Sequence, residues 1–368
     1  MFKSMSTLSY KCPSCGAPLE FDGREKQMTC GNCGNTFETE TVIAVNEIQR
    51  EDAQFDDMEW EAKKESFSPE ELERTQTFSC SSCGAQLFTD ETTVATSCAF
   101  CGSPSIIPAQ FTPGTKPEQI IPFLIEKDQA EKMFHAYFKS RKLIPNLFLE
   151  GTNRIDEIRK LYVPYWLFNC EADARMTYRG TTVTAFRSGQ YMVRTSRHFL
   201  IRRAGTLGFS ALPVDASQMM DNKITESLEP FSPKDAITFA PPTLSGAQAN
   251  RADVTAEECQ ARANDRIRST TDQMFRRTVT GYASVIPQSS SIRLLDSSSL
   301  PVLYPIWLIT TKKGDKTYTF AINGQTGELT CDIPWSKSKF FGRMLTVALG
   351  VAAAGFLVVM GLSAAGVI

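Results

Sequence analysis

The strongest constraint on the fold is a duplicated set of cysteines. Cys12, Cys15, Cys30 and Cys33 form two Cys-x-x-Cys pairs separated by fourteen residues, and Cys80, Cys83, Cys98 and Cys101 repeat the arrangement with the same gap. The residues after each first pair recur too, Gly16, Ala17 and Leu19 being matched by Gly84, Ala85 and Leu87. Agreement at so many offsets marks an internal repeat. A Cys-x-x-Cys turn sets two thiolates side by side, and a following glycine permits the tight backbone that aims amides at sulfur. Two such knuckles facing each other offer four thiolates in tetrahedral geometry, a donor set that suits zinc. The spacing therefore predicts two zinc ribbons, each holding one structural ion in a shell closed to water and substrate, with metal binding supplying folding energy. Iron in a rubredoxin-like site is the rival, because Cys12-Pro13-Ser14-Cys15-Gly16 would serve it equally well. Disulfides would need an oxidising compartment, and the N-terminal MFKSMSTLSYKC does not read as a signal peptide. A redox pair would sit between the strand and helix of a thioredoxin-like unit, which the pattern lacks. Cys170, Cys259 and Cys331 each stand alone and read as small buried hydrophobes.

The far end of the chain has the opposite character. Met344 to Ile368 is twenty-five residues without a charge. As a helix it would span about 36 Å, enough to cross a hydrocarbon core of about 30 Å. Core helices rarely run so long without a polar face, so the reading is a single membrane span. Lys337, Lys339 and Arg343 precede it, which predicts a tail anchor with the N-terminal bulk in the cytoplasm. Gly350 with Ala354, and Gly361 with Ala365, offer small-residue spacings for packing against another span.

Between these ends the chain divides into an expected order of ribbon (1–40), acidic linker (41–77), second ribbon (78–110), α+β domain (111–335) and anchor with its basic flank (336–368). Val45 to Arg74 carries eleven acidic side chains against four basic ones and reads as a partly helical linker. Pro104, Pro108, Pro113 and Pro117 mark a second connection. Helical spacing runs through Asp128 to Lys139, and a longer helix is announced by the capping-box pattern Thr255-x-x-Glu258, with a stripe of Cys259, Ala263, Ile267 and Met274. Strand patterns fill the rest, including a hairpin from about Lys316 to Ile333 around Asn323-Gly324 and Thr326-Gly327. Mixed strands and helices predict an α+β core, with ribbons separable from it. Tyr162-Val163-Pro164-Tyr165-Trp166-Leu167 is echoed by Tyr304-Pro305-Ile306-Trp307-Leu308, and aromatics of this kind are expected to pack a core before they line a ligand pocket.

From Arg175 to Arg203 there are seven arginines, interleaved with Tyr178, Phe186, Tyr191 and Phe199, and no carboxylate. Such a segment is a solvated face balanced by acids elsewhere, a track for nucleic-acid phosphates and bases, or a contact for anionic lipid headgroups. The whole chain has a formal net charge of −2, which argues against a surface built throughout for nucleic acid. His135 and His198 are the only histidines, and neither has a recognisable catalytic partner. No phosphate-cradling loop, nucleophile elbow, zincin or deaminase motif occurs, so a non-enzymatic role is expected.

The duplicated Cys-x-x-Cys-Gly-Ala-x-Leu knuckles, Tyr162 to Phe168, Pro213 to Ser217, Ser227 to Phe231 and Trp307 to Leu329 resemble a family of bacterial membrane-anchored zinc-ribbon proteins. Its members are often labelled TFIIB-type zinc-ribbon or primosomal-helicase-like. The resemblance implies two zinc ions, a membrane-bound adaptor, and work beside a flotillin-like SPFH protein and a phage-shock-type protein in membrane stress. A membrane-tethered nucleic-acid-binding protein is the alternative.

Overall fold

The structure is a computed structural model, and it describes residues 10–61, 66–109, 114–140, 158–313, 316–331 and 336–364. In chain order the first ribbon contributes strands β1 (Glu20–Asp22), β2 (Gln27–Thr29) and β3 (Thr36–Glu38), followed by helices α1 (Thr39–Phe55) and α2 (Pro69–Glu73). The second ribbon contributes β4 (Thr75–Cys80), β5 (Gln86–Asp90) and β6 (Ile106–Pro108), and the chain continues through β7 (Gln119–Ile120) and α3 (Lys127–Ser140). Two long strands follow, β8 (Arg159–Ser188) and β9 (Tyr191–Asp215), then α4 (Asn222–Ser227), β10 (Ile237–Thr238), β11 (Gln248–Asn250) and α5 (Ala256–Arg277). The chain closes with β12 (Ser284–Lys313), β13 (Lys316–Asn323), β14 (Leu329–Cys331) and α6 (Lys337–Ala364). The mixed α+β class expected from the pattern is what the structure has.

Two compact units share the chain. The first comprises Met1–Lys63, Leu167–Pro213 and Glu257–Ser299; the second comprises Lys64–Trp166, Val214–Ala256 and Leu300–Ile368. Residues 111–335 thus contribute to both.

In the first unit, β1, β2 and β3 form a small antiparallel sheet under α1. Val42, Val45, Asn46, Asp52 and Phe55 are the buried positions of α1, a spacing that keeps one helical face inward. The acidic stretch is therefore packed structure in its described part; residues 62–65 lie outside the described residues. Its carboxylates find the arginines. Asp52, 1% exposed, accepts from Arg202 Nη2 at 2.8 Å, and Asp56 takes Arg268 Nη2 on both oxygens at 3.0 and 2.7 Å. Arg175 and Arg293 lie over the Phe55 ring at 3.9 and 4.4 Å, and Trp60 donates to Asn264 at 2.7 Å. The reason a charge run misreads as a linker is that its partners stand more than a hundred residues away. On α5, Cys259, Ala263, Ile267 and Thr271 are buried, whereas Met274 is 47% exposed; the stripe runs through Thr271, and Met274 falls outside it.

In the second unit the sheet order is β10-β7-β12-β8-β11-β5-β4-β6, with β13 on β12 and β14 on β13. The two aromatic echoes lie on β8 and β12, which are neighbours in that order. Tyr165 stacks on Tyr304 at 4.4 Å, and Phe231 packs on Tyr304 at 4.3 Å. Trp166 and Trp307 are buried, and their indole N–H groups donate to Val254 and Ile125 carbonyls. These side chains build a core, as aromatics with a satisfied polar handle do. The C-terminal hairpin pairs Ile322 with Leu329 and Phe320 with Cys331; Ile333 lies outside the described residues. Its turn residue Asn323 donates to the Leu228 and Pro230 carbonyls, and Gln325 bonds Ser232 and Asp235. Several of the motifs that carry the family resemblance thus assemble one corner of this unit.

Helix α6 is the one helix among the described residues long and apolar enough to cross a membrane, over Lys337–Met360, and none of that window is buried. Ala365 to Ile368 lie outside the described residues.

Candidate metal centres

Each ribbon is made by two knuckles with the same hydrogen bonds. In the first, Gly16 N–H donates to Cys12 O and Cys12 N–H to Ala17 O; the second knuckle repeats this with Gly34, Cys30 and Asn35. The second ribbon does it again, with Gly84, Cys80 and Ala85 and then Gly102, Cys98 and Ser103. The glycine that follows each pair has φ between +71° and +77°, a region costly for other residues. The chain needs glycine there because the tight turn needs positive φ.

These turns gather Cys12, Cys15, Cys30 and Cys33 in one group and Cys80, Cys83, Cys98 and Cys101 in the other, with all four sulfurs of a group within 4.8 Å of one another. The Cys12–Cys33 and Cys15–Cys30 sulfurs are 3.7 and 3.5 Å apart; Cys80–Cys101 and Cys83–Cys98 are 3.6 and 3.7 Å apart. A tetrahedral ion with metal–sulfur bonds of about 2.3 Å has sulfur–sulfur edges of about 3.8 Å. The donor sets fit a four-coordinate metal and are too open for disulfides, whose S–S bond is about 2.0 Å. All eight thiols are free.

The electrostatics of the bare groups point the same way. The Ala17 backbone N–H and the Asn32 side-chain amide pull the Cys15 thiol down to about 6. At Cys80 burial works against ionisation, but the Cys83 and Ser82 backbone amides outweigh it and bring the thiol to about 7. Their neighbours move the other way: burial pushes Cys12 up to about 12 and Cys98 to about 11, and raises Cys83 strongly. Amides aimed at sulfur favour thiolate, yet four anions this close repel one another. A bound cation removes that conflict.

The two settings differ. In the first ribbon Cys15 and Cys33 are exposed, and Cys12 and Cys30 pack with Leu19, Met28 and Val42. Asn46 of α1 accepts from Lys11 N–H at 3.2 Å and donates to Lys11 and Val42 carbonyls. In the second ribbon Cys83 and Cys101 are half-buried. Ala99, between its last two cysteines, is gripped from both sides: its N–H donates to Gln248 Oε1 at 3.0 Å, and its carbonyl accepts from Arg159 Nε at 3.0 Å. A Cβ on Gly102 would meet the Arg159 guanidinium at 2.6 Å. Further, β5 pairs with β11, and Phe88 joins the core with Tyr162, Ala249 and Leu303. The second ribbon is part of the sheet rather than separable from it. Sequence reasoning missed Asn46, Arg159 and Gln248, since nothing local to them signals a contact with a knuckle so far along the chain.

Over 332 residues the chain is 31% identical to "Uncharacterized protein YdjG" of Bacillus subtilis (strain 168), an alignment covering 90% of this chain and 92% of the relative. The chain belongs to the YdjG family. No family model matches it, and no solved structure matches it. Within this YdjG-family chain the remaining cysteines stay apart from both groups. Cys170 and Cys259 are buried, and half-buried Cys331 lies 3.2 Å from the Tyr137 hydroxyl. Neither histidine joins a group: His198 Nδ1 bonds Thr181, and His135 packs edge-on against Phe134.

Proposed function

We propose that this protein is a membrane-tethered zinc-ribbon adaptor, which holds partner proteins at the cytoplasmic face of a membrane and performs no chemistry of its own. The observation that carries the reading is the pairing, on one chain, of two four-cysteine groups with an apolar helix, α6, whose Lys337–Met360 stretch has no buried residue. A four-cysteine shell leaves no coordination position for a substrate, so its metal shapes a surface. Zinc is the assigned metal, held by Cys12, Cys15, Cys30 and Cys33 and by Cys80, Cys83, Cys98 and Cys101. When bound, it neutralises the thiolates and locks the knuckles.

A tether raises the local concentration of a weak partner without any added contact. Lys337, Lys339 and Arg343 at the start of α6 favour a cytoplasmic flank. The partner class is the one the resemblance implies, an SPFH or flotillin-like membrane protein. Imaging a tagged SPFH partner in cells decides this. Replacing Cys12 and Cys15 by serine should disperse the partner while the variant still reaches the membrane. Unchanged partner localisation after removal of the whole protein would sink the adaptor reading. Affinity for DNA that falls steeply with salt would favour the nucleic-acid alternative.

A further inference from the structure

The arginine segment divides in two once its contacts are known. Its inner members are held by the protein: Arg175 lies over Phe55, Arg179 donates to the Ser14 carbonyl, Arg202 pairs with Asp52, and Arg203 bonds Thr278. The outer three, Arg187, Arg194 and Arg197, have no acidic partner among the described residues; Arg187 donates only to the Gly189 carbonyl within its own turn. All three lie in the arm where β8 turns into β9, and every residue from Thr184 to Leu200 is exposed.

The turn is the two residues Gly189 and Gln190, with Gly189 at φ +61°, as a glycine-first hairpin turn requires. A two-residue turn sets Ser188 opposite Tyr191, and the Thr181–His198 contact at 3.0 Å agrees with that register. Alternation along paired strands then sorts the side chains. Phe186, Tyr191, Val193, Arg197 and Phe199 share one face; Arg187, Met192, Arg194 and Leu200 share the other. Phe186 is 57% exposed, Tyr191 79% and Met192 70%. Phe199 packs on Tyr282, with ring centroids 5.6 Å apart, while Phe186, Tyr191 and Met192 stay largely exposed; large apolar groups exposed together at a basic tip mark an interaction surface.

We infer that this arm is a second membrane contact, docking on an anionic bilayer with the aromatic and aliphatic tip at headgroup depth and Arg187, Arg194 and Arg197 against lipid phosphates. Charge complementarity selects the occupant: from Ala174 to Val214 the chain has no carboxylate, and the cytoplasmic leaflet carries a negative surface potential. Aromatic rings with a polar rim settle at the membrane interface, which suits Tyr191. The inference rests on the membrane-tethered reading, in which α6 holds the chain at a bilayer. At roughly 1 kcal/mol per basic residue, three arginines change the docked-to-free ratio by roughly 100-fold.

The test uses the full chain in proteoliposomes of phosphatidylcholine alone or mixed with phosphatidylglycerol, read by hydrogen exchange over Thr184 to Leu200. Slower exchange in the anionic bilayer is expected. It should vanish at high salt and in the R187Q/R194Q/R197Q variant, whose metal content must remain at the wild-type level to show that it folds. The Tyr191→Ser variant should lose part of the protection. Equal exchange in both lipids would overturn the inference and leave the tether intact. Protection that appears with a single-stranded oligonucleotide, and not with phosphatidylglycerol, would overturn it in favour of nucleic acid. A chain that never enters the bilayer would sink the tethered reading instead, and flotation with the same anionic vesicles would then decide the arm directly.

Discussion

The two ribbons share a sequence repeat and a hydrogen-bond pattern, yet they belong to different kinds of structure. The first is a three-stranded unit closed by a helix that follows it directly in the chain, α1. The second has given its strands to a large sheet: β4, β5 and β6 end that sheet, and β11 continues it. Identical knuckles therefore fold their surroundings to different extents. A metal in the first ribbon stabilises a small sheet and its helix, tied to the rest of the unit by Arg179 on the Ser14 carbonyl, whereas a metal in the second organises Phe88 and Ala99 inside a large sheet. Duplication copied the ligands, and the partners of each copy then set its role.

The comparison breaks most decisively at the ligands. Structural zinc contributes about 10–16 kcal/mol, comparable to the whole stability of a domain. Replacing Cys80 and Cys83 by serine should collapse the second unit's tertiary structure, seen as loss of the near-ultraviolet dichroism of Trp166 and Trp307. The same change at Cys12 and Cys15 should leave that signal in place. Equal losses would show that the ribbons are energetically equivalent.

A smaller effect sharpens the contrast at Arg159, 9% exposed and bonded to the Ala99 carbonyl and to Thr310 Oγ1 at 2.6 Å. Hydrogen bonds from a charged group contribute about 1.5–3 kcal/mol, so Arg159→Met should cost roughly 2–3 kcal/mol in a denaturant titration. The loss should appear in the second unit alone. Restored stability in the variant would mean that the guanidinium is dispensable to the second knuckle.

The mildest difference is kinetic. A chelator reaches exposed ligands first, and Cys15 and Cys33 are exposed where Cys83 and Cys101 are half-buried. Metal release should be biphasic, the faster phase coming from the first ribbon and running about tenfold ahead, a barrier difference of about 1.4 kcal/mol. A Cys12→Ser chain should lose the fast phase. A single phase from the intact protein would erase the distinction.

The ligand sets, the apolar helix, the hairpin near Lys316 and the helix of Asp128 to Lys139 were all legible in the sequence. Each is a local signal: fixed spacing, unbroken hydrophobicity, alternation, or a helical period within one window. The pairing of Asp52 with Arg202, the grip of Arg159 and Gln248 on Ala99, and the exposure of the β8–β9 arm were not. The acidic stretch reads as a linker and the arginine run as one basic face because composition records charge without recording which charge it meets. Asp52 and Arg202 are 150 residues apart, and only folding makes them neighbours. The tertiary structure also separates the arginines held by a buried acid, a ring or neutral oxygens (Arg202, Arg175, Arg179 and Arg203) from the three left at the tip, since such contacts depend on distance and desolvation. Sequence alone determined which cysteines gather into four-thiol groups and which segment is long enough to cross a membrane; which charges remain free to bind something else was decided by packing.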